Sequence, residues 1–182
     1  MDFYLIFKLL HVFTAIAWVG GGLTLLVSSV ISVRAKGDAA VLQGLETMNG
    51  LGKAWFVPVS FLTVIFGAIT TTLGGMWGEL WVLLGLAGFA WTFITGIAFI
   101  EPQGRKIAGM LEAGDMQGGI GAGRRLMSIA KFDYTVMLVV VADMVLKPQW
   151  SDVTLLAIFA VVLVIGALVF LLPALRRPAV AA

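Results

Sequence analysis

The apolar runs constrain this chain more than any other feature. Crossing about 30 Å of hydrocarbon takes roughly 20 apolar residues in helical form. Runs of that kind recur five times, over residues 3–33, 56–75, 80–100, 134–147 and 153–172. The fourth is short and borrows flanking residues. In lipid, a spanning segment must satisfy its own backbone hydrogen bonds, which leaves helices as the form for such runs. The expected fold is therefore all-α: a polytopic transmembrane helical bundle of five spans, forming one integral membrane domain over residues 1–182. Charge agrees, since 60% of the chain is hydrophobic and only 12% is charged, against about a quarter charged in a soluble domain. That excludes a soluble enzyme and a disordered chain. The formal net charge of +2, with its basic residues at segment ends, gives no nucleic-acid partner. With no Cys and a single His, disulfides, thiolate sites and sites needing two imidazoles from one chain are also excluded.

Basic residues set the orientation. Arg34, Lys36, Lys53, Arg105, Lys106, Arg124, Arg125, Lys131, Arg176 and Arg177 follow odd-numbered spans or precede even-numbered ones, while only Lys8 and Lys147 lie toward the other side. Ten against two puts the N-terminus outside and the C-terminus in the cytoplasm of a bacterial inner membrane. Trp77, Trp81 and Trp150 then gather at the outer interface, as aromatic belts do. Asp2 and the length of the first run read as an uncleaved first span rather than a signal peptide. At about 46 Å if fully helical, that span has to tilt, bend at Gly20-Gly21-Gly22 or project beyond the bilayer.

The inner loops carry helical stripes, Val41/Leu45/Met48 and Ile107/Met110/Leu111. These fit helical extensions of the spans better than helices lying at the interface. Gly114 to Gly123 reads as a flexible turn between the third and fourth spans. Its GGIGAG string lacks the spacing, the preceding strand and the Lys-Ser/Thr ending of a phosphate loop.

Ionisable residues inside spans are the candidates for chemistry, because they are costly there. His11 lies about 12 Å below the outer end of the first span. Lys8 is one turn above it on the same face. Asp143 lies in the outer half of the fourth span, with Lys147 one turn further out. Opposite chain directions bring Lys8, His11, Asp143 and Lys147 to overlapping depth. They make either an outward-facing polar pocket or an ion pair that fixes helix packing, with His11 bonded to a neighbouring backbone. Haem b iron accepts one His with Met, a second His or an open position opposite. His11 and Met144 are therefore the candidate cofactor ligands, with His11 the candidate metal ligand in general. A Met-rich copper site is not evident from the spacing. Glu101 and Asp133, at the inner ends of their spans, read as solvated boundary residues. Thr70, Thr71, Thr72, Thr92 and Thr95, with Gly67, Gly85, Gly88 and Gly96, read as helix-packing features. At the outer turn, Pro148 ends the fourth helix, Trp150 anchors at the interface and Asp152 caps the fifth helix. No Ser/His/Asp triad is legible.

Two motifs carry a resemblance: Leu10-His11 with Trp18-Val19-Gly20-Gly21, and Met144-Val145-Leu146-Lys147-Pro148 followed by Trp150 and Asp152. Over most of its length the chain resembles a family of bacterial predicted integral membrane proteins of unknown function. Through the His-x6-Trp-x-Gly pattern it resembles, more distantly, the copper-resistance CopD-like proteins and the HemJ-like protoporphyrinogen oxidases. The resemblance implies a small helical bundle. From the HemJ-like side it implies haem binding at His11, and from the CopD-like side it implies copper. Three readings follow: a haem- or metal-binding redox membrane protein; a non-catalytic membrane subunit, assembly factor or homo-oligomer partner; and a small transporter.

Overall fold

The computed structural model describes residues 2–36 and 50–176. Among them there are helices and turns and no strand. The five long helices are α1 Phe3–Lys36, α2 Ala54–Gly74 and α3 Leu80–Glu112, α4 Met116–Leu146 and α5 Val153–Arg176. Four of them, α1, α2, α3 and α5, are long and apolar enough to cross a membrane. The exception is α4, which carries Lys131, Asp133 and Asp143 in its second half. Their outward faces are apolar: Leu9, Phe13 and Ile16 on α1 and Val161, Ile165 and Leu168 on α5 are all exposed. These are surfaces suited to lipid tails rather than to water.

Tight turns connect the helices from α2 onward. Gly75 takes a left-handed conformation (φ 65°) and its N–H closes the end of α2. Lys147 does the same for α4 at φ 49°. Pro148, fully buried, follows it, as expected where a helix cannot continue.

At the end that carries the α3–α4 turn, the helices are longer than the apolar runs. The third run was expected to stop at 100, yet α3 continues to Glu112. The glycine-rich stretch expected as a flexible turn is helix from Met116, so the turn shrinks to Ala113–Asp115. Asp115 explains the change. Its Oδ1 accepts from Gly118 N–H at 2.9 Å, an N-cap that satisfies an otherwise orphaned donor, and Gly114 supplies the positive φ the turn needs (86°). The glycines serve contact instead of freedom, since a Cβ at Gly119 would collide with Leu111. The Ile107 stripe is thus a helical extension. Ile107 and Leu126 bury each other, with Leu111 packed alongside. The Val41/Leu45/Met48 stripe lies outside the described residues.

Three helices widen into π-helical turns, at Gly52–Phe56, Thr95–Ile100 and Ala167–Leu171. Each ends two residues before a proline: Pro58, Pro102 and Pro173. Proline donates no N–H and its ring presses on the carbonyl four residues back. Widening the preceding turn accommodates both, and the Glu101 N–H accordingly reaches back five residues to Gly96 O.

Candidate functional site

At the end that carries the α2–α3 and α4–α5 turns, the predicted cluster is divided between helices. The Nδ1–H of His11 donates to Thr63 O of α2 at 2.8 Å, because a main-chain carbonyl can only accept. The ring packs against Gly67, where a Cβ would come within 2.9 Å of it. Lys8 is exposed, with its ammonium 5.7 Å from the centre of the Tyr4 ring. Lys147 sits over Trp81 at 5.0 Å. Asp143 is 2% exposed, and neither of its carboxylate oxygens has a hydrogen-bond partner. It faces the notch left by Gly85 on α3, where a Cβ would lie 3.5 Å from Oδ2. Met144 packs its methyl into the same notch. Among the described residues no side-chain hydrogen bond or ion pair joins His11, Lys8, Asp143 and Lys147.

The outer turn is tied in a different way from the capping expected of Asp152. Its Oδ2 accepts from Gln149 N–H at 2.8 Å and makes no cap bond to α5. Gln149 Nε2 in turn donates to Glu79 Oε2 at 2.7 Å, linking this turn to the one between α2 and α3. Trp150 is 71% exposed.

A recess among four helices lies toward the other end. It is half-open, measures about 230 Å³ and is lined by α1, α2, α3 and α4. Apolar walls come from Leu25, Leu26, Phe93, Ile97 and Met137. Trp18, at the outer side, stacks edge-on against Phe89 at 5.4 Å. The π-helical turn Thr95–Ile100 forms much of the α3 wall. A Cβ on Gly96 within it would meet nothing. Such widened turns recur at functional sites in other helices.

Polar groups in that cavity are few. Ser60 Oγ donates to Val57 O at 2.9 Å, Thr92 Oγ1 to Phe89 O at 3.0 Å and Tyr134 OH to Val19 O at 3.1 Å. Glu101 reaches Arg105 at 3.5 Å. Asp133 is 9% exposed and its Oδ1 is buried without a partner. Asp133 was expected at a solvated boundary. It is buried because α4 begins at Met116, which puts it in mid-helix under the packing of α3. Asp133 and Tyr134 were therefore missed as site residues. The helical phase of Gly118, Leu126, Ile129 and Asp133, all buried, is the signal that could have found them.

The donor sets can be weighed against the groups the resemblance implies. Among the described residues no three His, Asp or Glu side chains assemble that could hold a metal ion. For haem, one half fits: the Nδ1–H bond leaves Nε2 as the nitrogen with a free lone pair, the usual arrangement of a ligating imidazole. Met144 is committed to the Gly85 notch. Comparison with protein-family models, with curated proteins and with solved structures finds no match.

Proposed function

We propose that this chain is a five-span protein of the bacterial inner membrane, N-terminus outside and C-terminus cytoplasmic, that binds a small apolar molecule in the cavity among α1–α4. The observation that carries the reading is the cavity itself, about 230 Å³. Its walls are almost wholly apolar and come from four helices. Ligand sites in helical bundles are of this kind, mostly apolar with a few placed polar groups. The Gln149–Glu79 bond supports α4 as a span, since it sets the α2–α3 and α4–α5 turns side by side. The α3–α4 turn is then left at the opposite end.

Native mass spectrometry of the full chain released from nanodiscs tests the binding. Wild type is expected to retain a small-molecule adduct that Gly96→Leu, which fills the cavity, loses. No adduct, or equal retention by both, overturns the reading. Orientation is tested by single cysteines, because the chain has none. Gly78→Cys is expected to react with an impermeant maleimide from the periplasm, and Gln117→Cys only after lysis.

A second reading, haem b at His11, is favoured by the Nδ1–H bond to Thr63 O. It requires a Soret band in the purified protein that His11→Ala removes. A colourless, folded preparation discards it.

A further inference from the structure

The recess is drawn out along the helices. Its lining runs from Trp18 to Ser29 on α1, from Thr92 to Gly104 on α3 and from Leu126 to Met137 on α4. Each stretch covers about 17 Å by helical rise. A volume of about 230 Å³ spread over that length has the shape of one hydrocarbon chain rather than of a compact body. The walls suit such a chain. They are almost wholly apolar, and the hydroxyls of Ser60, Thr92 and Tyr134 are bonded to main-chain carbonyls. One end is bounded by Trp18, Thr92 and Met137, the other by Ser29, Gly104 and Leu126. Basic side chains gather at the second end. Arg105 follows the lining residue Glu101 by one turn and pairs with it at 3.5 Å, its own side chain 63% exposed. Lys106 and Arg124 are exposed at the same end of α3 and α4. A guanidinium has five N–H donors, so one carboxylate partner leaves Arg105 able to meet a second anion.

Resting on the binding reading above, we infer that the occupant is an anionic membrane lipid from the leaflet on the α3–α4 side. One of its hydrocarbon chains runs along the recess toward Trp18, and its phosphate meets the Arg105 guanidinium at the rim. Basic clusters at the membrane surface attract anionic headgroups, and basic pockets between helices bind them. A chain that leaves other lipid tails for the recess gains no hydrophobic drive. Selectivity therefore falls on the headgroup and on the fit of the chain.

Two photolabels test this: a phosphatidylglycerol and a phosphatidylcholine with the same chains and a diazirine at the tip of one chain. Each is a trace component of phosphatidylcholine nanodiscs that hold the intact protein. The phosphatidylglycerol label is expected to crosslink Trp18, Phe93 or Met137, in excess over Ile165 and Leu168 on the exposed face of α5, which report bulk lipid. It should label the recess about fivefold more than the phosphatidylcholine label, the scale of one basic residue at a membrane surface. Arg105→Gln should remove that preference, and Gly96→Leu should remove the recess crosslinks from both labels. Equal labelling by the two lipids, or a preference that survives Arg105→Gln, overturns the anionic headgroup and leaves the binding reading intact. Crosslinks no stronger in the recess than on α5, in a wild type that still retains an adduct, overturn the lipid chain alone. The same pattern with no retained adduct overturns both.

Discussion

The seam between α3 and α4 is closed at one end and open at the other. Toward the outer turns, Gly85 and Gly88 have no side chain, and α4 fills the vacated space with Met144 and Val140. Close approach of this kind, through small residues, is how helices associate where lipid removes the hydrophobic drive. Asp143 is sealed into that contact with both oxygens unpartnered. Ten residues back along the same helix, about 15 Å by helical rise, Asp133 meets a cavity instead of a wall. The two aspartates are of one residue type on one helix and both are buried. What separates them is the facing helix: regular and glycine-notched opposite Asp143, widened into a π-helical turn by Pro102 near Asp133. A residue's chemical opportunity in this bundle is set by the geometry across the seam and not by its own burial.

The largest expected effect contrasts two glycines. Gly88→Leu drives a side chain into the stiff, β-branched Val140 and should cost about 3 kcal/mol, whereas Gly96→Leu enters open space and should change stability by under about 1 kcal/mol. Unfolding in mixed micelles measures both, and equal losses would dissolve the contrast between the two ends. His11→Ala comes next. It removes the bond to Thr63 O and the ring that covers Gly67, with an expected loss of about 2 kcal/mol. An unchanged unfolding midpoint would mean that the ring does not hold α1 to α2.

Asp143→Leu works in the opposite direction. Removing an unpartnered buried carboxylate should stabilise the outer seam by about 1–2 kcal/mol, while Asp143→Asn should recover less of it. Destabilisation by the leucine would show that a bound water or ion satisfies Asp143. The smallest effect belongs to the inner turn. Asp115→Ala loses the cap of α4 and should cost about 1 kcal/mol, seen as faster amide exchange confined to the residues around Gly118.

Some of this was legible along the chain. The apolar runs located helices at 3–36, 54–74 and 153–176 to within a few residues, and the Ile107 stripe announced that α3 runs on past its apolar part. The threonines of α2, read as packing features, bond their own helix, Thr70 to Phe66 O and Thr72 to Ala68 O. The glycine-rich segment was misread because its composition resembles a loop, while the cap at Asp115 and the packing on Leu111 make it helix. Three prolines inside helical runs were a signal for widened turns that periodicity alone passes over. Shared depth along the chain suggested that Lys8 and Asp143 meet, but Lys8 lies by Tyr4 and the Asp143 oxygens have no partner.

The sequence by itself determined that this chain is helical, which segments face an apolar surroundings, and where its turns and charges fall, because hydropathy and backbone hydrogen bonding act locally along a helix. Only the tertiary structure decided which buried carboxylate borders a cavity and which is walled in. That depends on how a π-helical turn in one helix faces a side chain on another, a relation between segments distant in sequence that no local pattern encodes.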